Sequence, residues 1–237
     1  MSEYRRLNDG LVVHRTAPEH VAQLEELQRI VFPTLAPEQR FEARHYLRHI
    51  EQFPEGQYCV VDNDQSLPRP SGRGSETPYN DHDDRVVGMT STVRRDFDFD
   101  HPGHSFADII QGGWLTSHQP EGRWLYGADI GTHPDYRRRG VARALYAARH
   151  DTVRQLGLAG QVTVGMPSGY GAMKQLMSAE DYYAELVAGA RSDPTISAQL
   201  RIGFEPRQLV PDYIADPVCG GYGVVLVLPA QREVRFP

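Results

Sequence analysis

The stretch from Ala128 to Arg143 (Ala-Asp-Ile-Gly-Thr-His-Pro-Asp-Tyr-Arg-Arg-Arg-Gly-Val-Ala-Arg) constrains this chain more than any other. A strand-like run, Trp124 to Thr132, feeds a turn, and an amphipathic helix begins near Gly140. The first-turn N–H groups of a helix have no intrahelical acceptor, and the helix dipole is positive at that end. Arg137-x-x-Gly140-x-Ala142 therefore reads as an anion site whose donors are backbone groups. Gly140 removes a side chain where a diphosphate presses closest, and Ala142 keeps the first turn slim. The pattern is not a Walker loop, because no Gly-Lys-Ser/Thr follows. Nor is it a dinucleotide fingerprint, because Gly-x-Gly-x-x-Gly is missing. Its rival is a solvated arginine cluster on an ordinary helix.

Context favours the anion site. Val141, Ala144, Leu145, Ala148, Thr152 and Leu156 recur at helical spacing and predict one buried face. A β-rich run, Gln161 to Gly165, follows closely. The whole is a strand–anion loop–helix–strand unit, and it fits the diphosphate of coenzyme A.

Around this unit, Leu11 to His14 reads as a strand. Thr16 caps a helix through Val21, Leu24, Leu27 and Val31, with Pro18 in its first turn. Pro37 begins a second helix through Phe41, Tyr46 and Ile50, stopped by Pro54. Tyr58–Val61 and Val86–Val93 read as a strand pair. Between them, Asp62 to Arg85 has the Pro, Gly, Ser, Asp and Asn content of a long mobile loop, most simply a tolerated insertion. A short helix is predicted from Phe106 to Gln111. Ser178-Ala-Glu-Asp181 opens a helix through Tyr182, Leu186 and Val187, Pro194 to Ile202 makes another, and Leu209–Tyr213 and Gly223–Leu228 close the fold as strands.

Composition narrows the functional classes. The 237 residues are expected to form a single domain, and 40% hydrophobic content supports an ordinary core. No apolar run approaches the roughly 18 residues of a membrane span, and Met1 to Arg6 lacks the apolar stretch of a signal peptide. Cys59 and Cys219 match no metal spacing and suit a reducing cytoplasm as unpaired thiols. The net charge of −6 argues against nucleic acid as a partner.

Arg137-x-x-Gly140-x-Ala142 after a strand ending in Thr132, with Gly203-Phe204 far downstream, resembles the GNAT superfamily of N-acetyltransferases. Phe53-Pro-Glu-Gly56, Thr116–Gly122, Met177–Glu180, Asp193-Pro194, Gln199-Leu200 and Gly220–Gly223 are similar to the acetyltransferase module sometimes fused ahead of a carbon–nitrogen hydrolase. With the sequence ending at Pro237, no hydrolase partner is expected. The resemblance implies an α/β fold: a mostly antiparallel twisted sheet of about seven strands, splayed between the fourth and fifth and flanked by helices. Residues 170–193 would then be a helical insertion, either shaping the substrate site or serving as a scaffold or homodimer contact.

The implied activity is acetyl transfer from acetyl-CoA to a primary amine of a small molecule or peptide, without a metal. The alternative is an acyl-CoA-binding regulatory or assembly module with weakened catalysis. By the resemblance, the strands splay apart just after Asp129, and the backbone of Ile130, Gly131 and Thr132 pairs with the pantetheine arm. Arg137, Arg138, Arg139, Gly140, Val141, Ala142 and Arg143 hold the phosphates, with Arg138 and Arg139 either on the 3′-phosphate or in solvent.

The proton donor is the weak point. Many relatives carry a tyrosine four residues before Gly-Phe, where this chain has Gln199. Tyr170, after the fifth strand, is the first substitute, with Tyr182 and Tyr183 next; each taken singly reads more readily as a packed aromatic with its hydroxyl at the surface. For the base, alternation puts Tyr126, Ala128 and Ile130 on one strand face and Asp129 on the other, so Asp129 qualifies only if a bulge reverses the alternation. His118 and His133 titrate in the right range, though His133, before Pro134, reads as structural.

Overall fold

Period-2 alternation of buried side chains, seen in Val224, Leu226 and Leu228 against Val225 and Val227, builds one sheet with two covered faces. The computed structural model describes residues 3–7, 10–63 and 85–235. Its strands are β1 (Glu3–Arg6), β2 (Leu11–Arg15), β3 (Tyr58–Asp62), β4 (Arg85–Arg95), β5 (Trp124–Thr132), β6 (Gly160–Gly165), β7 (Glu205–Val210) and β8 (Gly223–Pro229). They lie in the order β1-β2-β3-β4-β5-β6-β8-β7. Among the described residues every pairing is antiparallel except β5 with β6. This is the expected mixed α/β architecture, with one more strand than the seven read from sequence: β1 extends the edge beside β2.

Six α-helices among the described residues accompany the sheet: α1 (Val21–Val31), α2 (Ala43–Gln52), α3 (Phe106–Ile110), α4 (Val141–Gln155), α5 (Ala179–Val187) and α6 (Ile196–Ile202). Leu24 and Leu27 of α1, Tyr46 of α2 and Ile109 of α3 pack with Met89, Val93 and Tyr126 on one face. On the other, Val141, Ala144, Leu145 and Ala148 of α4 pack on Leu11, Val13, Val60 and Val87. Helices α5 and α6 continue that layer over Val224, Leu226 and Leu228.

Several boundaries differ from the sequence reading, for local reasons. The first helix starts at Val21 after a 3-10 turn at Pro18–His20, and it is Ala17 N–H, donating to His20 Nδ1 at 3.0 Å, that marks its start. Pro37–Gln39 is only a 3-10 turn; Arg40 is extended, and α2 begins at Ala43. Leu156 falls beyond the last turn of α4 and is exposed. The strand expected at Leu209–Tyr213 runs from Glu205 to Val210. Of the segment read as a mobile loop, residues 64–84 lie outside the described residues; its ends, Asp62 and Arg85, face each other in the β3–β4 ladder.

The segment before α6 is tied down by one buried carboxylate. Asp193 accepts from the N–H groups of Thr195 and Ile196 with Oδ1, and from Gly169 N–H and the Tyr182 hydroxyl with Oδ2, all at 2.8–2.9 Å. The exit of β6, helix α5 and the start of α6 therefore meet at a single residue whose acceptor sites are filled.

Candidate active site

The anion end of the site is the turn into α4. Gly140 is its N-cap with φ +81°, and Arg138, two residues earlier, is also left-handed at φ +64°. The helix ladder opens with Ala144 N–H donating to Gly140 O at 2.9 Å, so the donors before it point out of the helix end. Among the described residues, a Cβ on Gly140 would find only Leu7 Cδ2, 4.0 Å away. Arg137 and Arg138 are exposed, while Arg139 lies over the Tyr136 ring with its guanidinium carbon 5.0 Å from the centroid.

From this turn the sheet opens. β5 pairs with β6 only from Trp124↔Gly160 to Gly127↔Thr163, then runs on to Thr132 against β4 alone. The strands separate earlier than the sequence suggested, after Gly127 and not after Asp129, and a bulge explains it. Ser91 faces Asp129 and Thr92 faces Gly127, leaving Ala128 as an extra residue. The alternation reverses there. Tyr126 and Ala128 face α1 and α2; Ile130 packs on the α4 side instead of sharing their face. Asp129 turns toward α1, where its Oδ2 accepts from Gln28 Nε2 at 2.7 Å and its Oδ1 from Ser91 N–H at 2.5 Å.

The gap between the strands holds a cavity of about 120 Å³. Its floor is β5 and β6, from Ala128 to Ile130 and from Thr163 to Met166; its walls come from α1, the Leu35–Phe41 segment, α3, α6 and Tyr213–Ile214. Asp129 is half-buried, and its accessible portion belongs to this cavity. Burial raises its carboxyl to about 6, against the opposing pull of Ser91 N–H, the Arg149 charge and Gln28.

Arg149, from α4, is 1% exposed and enters from the opposite face. Its guanidinium donates to the Asp129 carbonyl, a group also held by the Thr90 hydroxyl at 2.8 Å, and lies 5.3 Å from the Tyr146 ring centroid. A Cβ on Gly127 would come within 2.3 Å of Arg149 Nη1, so glycine at 127 makes room for this arginine. The spacing Val141, Leu145, Arg149 puts the arginine on the buried stripe of α4, a signal the sequence carries. Arg149→Met keeps most of the volume, leaves the Asp129 carbonyl its Thr90 donor, and removes a positive charge near the half-buried Asp129 carboxylate. Stability is expected to change by no more than about 2 kcal/mol, while the Asp129 carboxyl titrates at higher pH than in the parent. Carbon-detected NMR titration of Asp129 checks this, and an unmoved midpoint would refute the coupling.

The remaining sequence candidates separate clearly. Tyr126 lies beneath the cavity rather than in its lining, with its hydroxyl 2.7 Å from His104 Nε2 and 3.2 Å from the Tyr213 hydroxyl. His104 Nδ1 is 2.7 Å from the Pro102 carbonyl, so it carries the proton and Nε2 accepts from Tyr126. Tyr126 thus supports Tyr213, which does line the cavity. Tyr170 is placed outside that lining: the turn after Pro167 carries it onto Tyr182 and Tyr222, at centroid distances of 5.4 and 5.6 Å. Tyr182 is buried with its hydroxyl on Asp193, and Tyr183 packs at the edge of the same cluster. His118 accepts from Arg94 N–H and stacks on Phe53, whereas His133 sits beside Arg85 and Asp135.

Gln199 lines the cavity and donates through Nε2 to the Tyr146 hydroxyl at 2.8 Å. Tyr146, from α4, is the hydroxyl that stands behind the position where many relatives carry a tyrosine. It was not singled out from the sequence, although it lies one residue from Leu145 on the buried helix.

Residues 22–174, more than half of the chain, match the acetyltransferase (GNAT) family. The chain belongs to that family. It is 28% identical over 211 residues to a Bacillus subtilis protein described as probable hydrolase YhcX, a match covering 89% of this chain but only 37% of YhcX. That coverage agrees with a resemblance to an acetyltransferase module within a longer protein. A second B. subtilis relative, described as uncharacterized N-acetyltransferase YkwB, is 26% identical over 219 residues, covering 92% of this chain and 88% of YkwB. Among solved structures, a GNAT-like decarboxylase, GphF, in complex with isobutyryl-CoA shares the fold, with a TM-score of 0.67 at 19% identity over 92% of this chain and 99% of that one.

Proposed function

We propose that the chain is an acyl-CoA-dependent N-acyltransferase that moves an acetyl group onto a primary amine. The observation that carries the reading is the bulge at Ala128. It turns the Asp129 carboxylate into the cavity where β5 and β6 diverge, and the same strand β5 leads on to the donor-rich turn at Gly140. Acetyl-CoA supplies an activated carbonyl carbon with a thiolate leaving group. The turn at Arg137–Arg143 fits its diphosphate, and the freed edge of β5 at Ile130, Gly131 and Thr132 fits its extended arm.

Asp129 takes a proton from the incoming ammonium. A carboxyl raised toward neutrality and an amine lowered by an apolar cavity are closer in pKa than the same groups in water, which eases that transfer. The amine nitrogen bonds to the carbonyl carbon as the carbon–sulfur bond breaks. Of the two protons that leave nitrogen, one goes to Asp129 and the other to the departing sulfur. Gln199 carries no titratable proton, so it orients by hydrogen bonding and does not act as an acid.

The relative YkwB, by its description and its coverage of both chains, supports acyl transfer to nitrogen. Gln199 is also the observation that favours the second reading, a CoA-binding module with weakened catalysis. Coenzyme A release from acetyl-CoA across a panel of primary amines tests the first reading. Amine-dependent turnover is expected, and binding of acetyl-CoA without turnover on any amine establishes the second. In the same assay Tyr170→Phe is expected to stay within about 3-fold of the parent, because the hydroxyl lies outside the cavity. A fall beyond ~10-fold would restore it as the proton donor.

A further inference from the structure

We infer that the acceptor is a small monocationic amine with an apolar body, an alkylamine or arylalkylamine with no carboxylate beside the nitrogen; the inference rests on the acyl-transfer reading. Among the described residues, Asp129 is the sole charged side chain lining the cavity. Two residues of the lining, Gln39 and Gln199, also carry buried side-chain oxygens with no hydrogen-bond partner among the described residues. Buried acceptors of this kind call for a donor. A primary ammonium has three N–H donors and one positive charge, which matches a single carboxylate in a lining that also holds amide oxygens.

The body of the acceptor follows from the walls. Phe32, Leu35, Phe41 and Phe106 face the cavity, and they offer area but no donor or acceptor. A cavity of ~150 Å³ holds benzene, so about 120 Å³ suits a branched aliphatic chain or, with small side-chain movement, one aromatic ring. Among the described residues, no lysine or arginine lines the cavity to pair a second negative group. An amino-acid carboxylate placed there would lie unpaired beside Asp129, and two close carboxylates do not both stay ionised. A diamine fares no better, since among the described lining residues its second ammonium finds no second carboxylate to pair with.

The test compares amines that share a body and differ in charge. Initial rates of coenzyme A release are measured with 2-phenylethylamine and 3-methylbutylamine, with L-phenylalanine and L-leucine, and with putrescine. Calorimetry follows amine binding to the protein loaded with coenzyme A. The two neutral-bodied amines are expected to exceed the other three in kcat/KM by at least ~100-fold. Asp129→Asn is expected to lose amine affinity while keeping acetyl-CoA affinity within about 3-fold, which also shows that the variant is folded. Preferred turnover of an amino acid, a diamine or a peptide N-terminus overturns the inference and leaves the acyl-transfer reading standing. Absence of acetyl-CoA binding overturns both.

Discussion

Asp129→Asn is expected to lower kcat by roughly 10²- to 10⁴-fold with the fold intact, the range over which a positioned general base contributes. The substitution is close to isosteric, and the surroundings accommodate it. Both carboxylate oxygens now accept, one from Ser91 N–H and the other from Gln28 Nε2. An asparagine keeps its oxygen on Ser91 and presents its amide to Gln28. Gln28 answers by turning its own amide over, because its other neighbour, the Tyr46 hydroxyl at 2.7 Å, donates as readily as it accepts. Thermal unfolding should therefore move by only a few degrees. A turnover number within about 3-fold of the parent would remove Asp129 from the chemistry.

The same carboxyl fixes the pH dependence. With a titration near 6, kcat/KM is expected to fall about tenfold per pH unit below that value, as the base becomes protonated. Stability runs the other way. The folded-state pKa is raised above the unfolded one, so the folded chain binds this proton more readily. The destabilisation from burying the charge is present above about 6 and is relieved as pH falls toward the ordinary carboxylate range. Activity lost between these limits, in protein that stays folded, is the signature of Asp129 and not of acid unfolding.

How much of this was legible depends on whether the information is local. The turn at Arg137–Gly140 and helix α4 were readable because a left-handed glycine, an arginine run and a 3.6-residue stripe are consecutive in the chain. The bulge at Ala128 was not. It is a mismatch of register between Ser91–Thr92 and residues 127–129, and nothing within β5 alone marks it. The consequence is large, since it decides which face receives Asp129. Arg149 was legible in principle, eight residues after Val141 on the same stripe, but a charged residue at a core position is ordinarily read as solvated. Tyr170 follows β6 directly, as the sequence suggests. Where it points is set by Asp193, which ties Gly169 to α5 and α6 from more than twenty residues away.

Gly140→Glu is expected to weaken acetyl-CoA binding by at least ~10-fold, which corresponds to about 1.4 kcal/mol. Two effects act at this residue and can be separated. The backbone is left-handed at φ +81°, where any residue with a Cβ is strained by roughly 1–2 kcal/mol. The second is electrostatic. A glutamate at the N-terminus of α4 directs its carboxylate toward the first-turn donors, where the helix dipole favours negative charge by about 0.3–1 kcal/mol. That gain partly offsets the strain, and among the described residues the space beside Gly140 leaves room for the side chain, so the variant is expected to fold. What stabilises the helix then competes for the anion's place. Gly140→Ala carries the same backbone strain without the carboxylate and is the proper control; its loss of affinity should be several-fold smaller. Calorimetric titration of both variants with acetyl-CoA, at two salt concentrations, measures the difference. Unchanged affinity in folded Gly140→Glu would show that no phosphate meets this helix end. Equal losses for alanine and glutamate would assign the effect to the backbone and leave the charge with no role in it.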